Sequence, residues 1–141
     1  MLKKIAVILI IIFLYPMKVS AFESTTIEIF DINKGYVIKK VDSTPVIQSQ
    51  VNNCLKGITG IYSKFNPIPD KGYMIKIPFD TPIALQNQWV STFIDEVIII
   101  FPEQEERYIM VFDNRDRTLF FGFEGDVDGL LKNLNFYPKK N

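Results

Sequence analysis

The chain has 141 residues, sixteen basic against sixteen acidic, 48% hydrophobic, with one cysteine and no histidine. The missing histidine removes the commonest general base, the usual catalytic triad and most zinc sites. The lone Cys54 leaves no internal disulfide to staple a small fold. Gly-rich phosphate loops, paired-cysteine motifs and zincin helices are also missing.

Lys3 and Lys4 precede the apolar run from Ile5 to Tyr15. At about eleven residues that run falls short of the roughly 20 that a spanning helix needs, and it matches the hydrophobic region of a secretory signal. Pro16 follows, and then Val19 and Ala21 occupy the small-residue positions of a cleavage site. The pattern predicts cleavage after Ala21, which makes residues 1–21 a signal peptide and 22–141 an exported domain. No cysteine follows the hydrophobic run, so a lipoprotein anchor is excluded. The domain is expected to be secreted or held in a cell envelope, meeting the membrane only transiently. Its richness in Ile, Lys and Asn suits a low-GC bacterium. A leader left uncut would instead tether a structural subunit. Without Lys3, Lys4 and Lys18 the domain has thirteen basic against sixteen acidic residues, a formal charge of −3. With only Lys39-Lys40 and Lys139-Lys140 as basic pairs, nucleic acid and anionic membrane surfaces are not expected partners.

Thr25 to Ile32 alternates apolar and polar residues as a half-buried strand does. Asn33-Lys34-Gly35 should reverse the chain, and Tyr36 to Val41 should return as the second strand of a hairpin. Asp42-Ser43-Thr44-Pro45 then offers cap oxygens and a proline with preset φ, and Gly57 stands where a left-handed stop is wanted. A helix is predicted from Pro45 to Lys56, its stripe formed by Val46, Ile47, Val51, Cys54, Leu55 and Ile58. Cys54, inside that stripe, reads as a small core residue and not as a nucleophile.

Thr59 to Gly72 is rich in turn formers and reads as the longest irregular stretch. Loops of this kind carry binding more often than other segments, so its Tyr62 and Phe65 are candidate contacts. Tyr73 to Phe79 alternates as a strand, and Pro78 places it at an edge or an end. Thr81 to Ile94 is ambiguous: Pro82 to Leu85 fits a short strand, whereas Trp89, Phe93 and Val97 have helical spacing. Glu96 to Pro102 holds the β-branched run of a strand covered on both faces and is predicted to be central. Tyr108 to Phe112 and Thr118 to Phe123 follow, separated by Asp113-Asn114-Arg115-Asp116, so three strands should form a meander. Gly125 to Leu134 begins with capping acids and continues with leucines, a short closing helix. The fold expected is α+β: one small domain with a mostly antiparallel sheet of about six strands, one amphipathic helix after the first hairpin and a short C-terminal helix, packed on one sheet face.

A glycosidase needs only two carboxyl groups, and Asp95 with Glu96, at the start of the most apolar strand, are the candidates. Glu124, Asp126 and Asp128 resemble the opening of a calcium loop but lack its later oxygen ligands, so helix capping is the expectation, and Asp113-Asn114-Arg115-Asp116 is read likewise as a turn. No metal or cofactor is expected. Twelve Phe, six Tyr and one Trp leave more aromatics than a simple alternation can bury. If Leu119, Phe121 and Phe123 face the core, Phe120 faces outward or lies under a segment such as Trp89 or Phe136-Tyr137. These residues together predict a non-catalytic exported binding or regulatory module, taking a protein, peptide or envelope component through Tyr62, Phe65, Trp89 and Phe120. The alternative is a small cell-wall glycan hydrolase acting through Asp95 and Glu96.

Overall fold

The computed structural model describes residues 25–64 and 67–138. The leader and its expected cleavage after Ala21 therefore lie outside the described residues.

Alternation in Thr26–Asp31 (β1) turns Ile27 and Ile29 fully inward, as a pleat of period two requires. The chain reverses over Gly35, whose φ of 77° needs no Cβ, while Asp31 Oδ1 accepts the Lys34 N–H at 3.1 Å. Tyr36–Asp42 (β2) returns antiparallel, with one residue, Ile38, bulged out where the register shifts.

Helix α1 spans Pro45–Lys56, and the Thr44 side chain caps it by accepting the Ile47 N–H at 3.3 Å. Ile47, Val51, Cys54 and Leu55 form the buried stripe. Val46, expected within it, is instead 58% exposed, because one residue is a turn of about 100° away from Ile47 and so falls outside the stripe. Gly57 also departs from expectation: its φ of −86° is not left-handed. What excludes a side chain there is proximity, since a Cβ would lie 1.8 Å from the Glu124 carbonyl oxygen.

That approach exists because a strand hides in the stretch expected to be irregular. Ile58–Ile61 (β3) pairs with the last strand, Ile58 opposite Phe123 and Ile61 opposite Phe121. The two strands expected at Tyr73–Phe79 and Pro82–Leu85 are one strand, Gly72–Gln86 (β4). It forms a long hairpin with Ser91–Pro102 (β5), so the helical alternative for Trp89, Phe93 and Val97 is not adopted. Pro78 is neither at a sheet edge nor at a strand end. It is tolerated because pairing with β1 ends at Lys76 and the register with β5 breaks just after Pro78. Tyr108–Phe112 (β6) and Thr118–Phe123 (β7) complete the meander.

The result is one seven-stranded antiparallel sheet, one strand more than expected, in the order β2-β1-β4-β5-β6-β7-β3. β5 is its middle strand. Val127–Asn133 (α2) closes the chain, with Asp126 Oδ1 accepting the Gly129 N–H at 2.9 Å. Both helices pack on one face: Ile47, Val51 and Leu55 of α1 and Leu130 and Leu131 of α2 share a core with Ile29, Ile75, Ile99 and Ile109 of the sheet. The fold is thus α+β, as the sequence predicts. The other face bears a smaller apolar cluster, Ile100, Tyr108 and Met110. Among the described residues no helix is long and apolar enough to cross a membrane.

Candidate functional site

On the face away from the helices, strand alternation lines up Ile98 and Ile100 of β5, Tyr108 and Met110 of β6, and Phe120 of β7. The chain leaving β3 crosses this row. The Tyr62 N–H donates to the Phe120 carbonyl at 2.8 Å, extending the β3–β7 ladder by one residue and laying the Tyr62 ring on Tyr108. Their centroids are 4.0 Å apart and their planes 9° from parallel, an arrangement that adds to the apolar area already buried. Phe120 also meets Tyr108, tilted, with centroids 6.2 Å apart.

Polar contacts hold Tyr62, Lys64 and Pro67 in place. The Tyr62 hydroxyl donates to Glu105 Oε2 at 3.1 Å, and the Lys64 ammonium pairs with the same oxygen. Farther along, the Tyr108 hydroxyl donates to the Pro67 carbonyl. The contact with Glu105 raises the Lys64 pKa, and Lys64 first and Tyr62 second hold Glu105 below the usual carboxylate range. Burial, reinforced by Tyr62 and Glu105, pushes the Tyr108 hydroxyl up to about 12. The charged tether is exposed, so its role is positional and its energetic weight small.

Of the residues singled out from sequence, the structure brings together Tyr62 and Phe120. Phe65 lies outside the described residues. Trp89 is elsewhere: Asn87 Oδ1 accepts from the Trp89 and Val90 N–H groups in the β4–β5 turn, and the ring packs on the helix-side core. The cover over Phe120 is therefore neither Trp89 nor Phe136-Tyr137. Phe136 meets Tyr73 edge-on at 5.1 Å, and Tyr137 is exposed. Sequence reasoning missed Tyr108, the residue on which the others converge; its place becomes visible only once the β6–β7 register sets Met110 opposite Phe120.

Two concavities open among the described residues. One, of about 820 Å³, opens where the β1–β2 turn, the end of β5 and the start of α2 meet, and includes Asp31, Tyr73, Phe101, Arg107, Asp128 and Leu131. The other, a groove of about 890 Å³, lies toward the β4–β5 turn and includes Pro82, Phe93, Asp95, Glu96, Phe112 and Asp116. Both candidate carboxylates thus border one groove, although they lie inside β5 and not at its start, and Asp95 is exposed, without the burial that would raise a carboxyl pKa.

The remaining sequence candidates are structural. Asp126 caps α2. Asp113, its side chain 1% exposed, accepts from the Arg115 and Arg117 N–H groups at 2.9 Å and pairs with the Arg117 guanidinium at 2.7 Å. Among the described residues no group of three Cys, Asp or Glu is placed to hold a metal ion. Cys54 is buried, and burial raises its pKa, with Arg107 opposing and Asp126 adding to the shift.

Burial alone would raise the Asp113 carboxyl, but the backbone and guanidinium donors of Arg117 and Arg115 outweigh it and hold the group below its ordinary value. A depressed folded pKa supplies stability that is present above the unfolded value and lost as pH falls through the folded one. Urea midpoints measured from pH 7 downward should therefore decline below about pH 4 less steeply in Asp113→Asn than in wild type. Parallel curves would show that Asp113 contributes nothing to acid sensitivity.

No family model, curated protein or solved structure matches the chain.

Proposed function

We propose that the chain is an exported, non-catalytic binding module of a bacterial envelope or secretome, and that Tyr62–Lys64 and Ile68, with the aromatic row on which Tyr62 lies, form its contact surface. One observation carries this reading. The crossing is anchored by its aromatic and charged side chains, Tyr62 on Tyr108 and Lys64 on Glu105, while Ile68 just beyond is 40% exposed. A loop fixed on a rigid sheet presents such a side chain without the ordering penalty that a mobile loop incurs on binding.

The partner expected is a protein, peptide or envelope component. Immobilised protein should capture a component from envelope extract that, once identified by mass spectrometry and purified, rebinds wild type. Ile68→Ser should weaken that rebinding and lower the melting temperature only slightly, because the side chain is already partly in water. Undiminished rebinding by Ile68→Ser would remove the loop from the interface.

A second reading keeps the carboxylate hydrolase, because Asp95 and Glu96 border a groove that also has Phe93 and Phe112. Turnover of a cell-wall glycan panel by wild type, lost in Asp95→Asn or Glu96→Gln, would favour it over binding. Intact mass of protein recovered from the envelope separates a cleaved module from a tethered structural subunit.

A further inference from the structure

The open end of the helix-free face has a chemistry of its own. In β5, Thr92 and Ile94 are buried, so Phe93 between them points to the opposite side, where it is 67% exposed. Phe112 follows Met110 by two residues along β6, on the same side, and is 36% exposed. The register pairing Val97 with Val111 carries Phe112 toward Glu96. The break between Pro78 and Ile83 sets four residues of β4 against Asp95 alone, and this irregularity brings adjacent Asp95 and Glu96 to one groove.

The groove is preformed. Thr92 Oγ1 accepts the Asn114 N–H at 3.1 Å, tying the β6–β7 turn to β5, and Asp113 locks that turn internally through Arg117. Asp113 is thereby neutralised. Asp95, Glu96 and Asp116 have no side-chain hydrogen bond or ion pair among the described residues, and no Lys or Arg lines the groove.

Two phenyl faces in water and three uncompensated carboxylates call for the same occupant. A ring face attracts a cation, Arg above all, and a positive charge would pair with carboxylates that have no cation of their own. A neutral glycan can stack on the rings but leaves the carboxylates without a counter-charge. We propose that this groove docks a basic, extended peptide segment of a partner protein, its Arg or Lys side chains lying against Phe93 and Phe112 with their charges on Asp95, Glu96 and Asp116. The site is separate from the Tyr62 crossing and stands or falls independently of it.

The test is anisotropy of fluorescein-labelled hexa-arginine titrated with the purified full chain at low salt. Saturable binding should weaken with added salt. Phe93→Ala, which leaves net charge unchanged, should weaken it about threefold, and Asp95→Asn with Asp116→Asn about tenfold. Asp70→Asn with Glu106→Gln, an equal charge change on exposed residues outside the groove, should leave it unaltered. Absence of binding, equal binding by Phe93→Ala or by the Asp95/Asp116 double variant, or displacement of the peptide by chitotetraose would each overturn the proposal.

Discussion

Gly72→Ala should lower the urea midpoint more than any other substitution at a glycine of this fold. Gly72 has a φ of 129°, a region that side chains do not enter, and an added Cβ would stand 2.1 Å from the Phe101 carbonyl oxygen and 3.1 Å from Pro102 Cα. Those are backbone atoms of the middle strand, which cannot swing aside as a side-chain tip can. The Gly72 peptide is also held on two sides: its N–H donates to Asn33 Oδ1 at 3.0 Å and its carbonyl accepts the Ile32 N–H at 3.0 Å. Relief of the clash would unpick the junction of the first hairpin with β4 and β5. A loss of about 3–5 kcal/mol is expected from strain and clash together, much of the total stability of a domain this size. Gly35→Ala is the internal comparison. Its φ is also positive, but nothing lies within 4 Å of the added carbon, so only the left-handed penalty of about 1–2 kcal/mol remains. Urea unfolding followed by circular dichroism ranks the two, and equal midpoints would refute the steric argument.

Tyr108→Ala should have the next largest effect. Tyr108 is 2% exposed and its ring contacts both Tyr62 and Phe120, so truncation removes the centre of the second apolar cluster and should destabilise by about 3–5 kcal/mol. Tyr108→Phe keeps the stack and loses only the donor to Pro67, with a penalty near 1 kcal/mol. The pair separates packing from hydrogen bonding, and alkaline unfolding adds a third handle. The hydroxyl titrates near 12 in the folded protein against about 10 when unfolded. A raised folded value means stability that is intact below about pH 10 and lost as pH climbs toward 12. Melting temperatures of wild type should fall across that window, and those of Tyr108→Phe should fall less. Identical alkaline profiles would mean that the Tyr108 hydroxyl is not the group responsible.

Local signals made half of this fold readable. Thr44, Pro45 and the apolar stripe determine α1 within a dozen residues, alternation suffices for β1, and runs of aromatic and aliphatic residues between turn formers suffice for β6 and β7. What escaped depends on distant partners. Ile58–Ile61 has no strand-like alternation beyond Ile-Thr-Gly-Ile and is a strand because β7 pairs with it. Phe93 and Val97, four apart, would share a face of a regular strand or of a helix. The irregularity opposite Asp95 reverses the parity, leaving Phe93 in solvent and Val97 in the core. The candidate site divides in the same way: Tyr62 and Phe120 stand out as aromatics in excess of what one face can bury, whereas Tyr108 joins them only through cross-strand register. At Gly57 the sequence suggests a left-handed turn, whereas the glycine is required by a close approach to Glu124 that only the paired β3 and β7 create.

The two rims of the sheet differ from its interior in one further respect. β2, on one side, is kinked at Ile38 and carries Lys39 and Lys40; β3, on the other, is four residues long. Neither offers the long, flat, uncharged ladder on which foreign strands nucleate. Fibril growth by edge-on stacking of native molecules is accordingly disfavoured, even though the interior runs Val97-Ile98-Ile99-Ile100 through its middle strand.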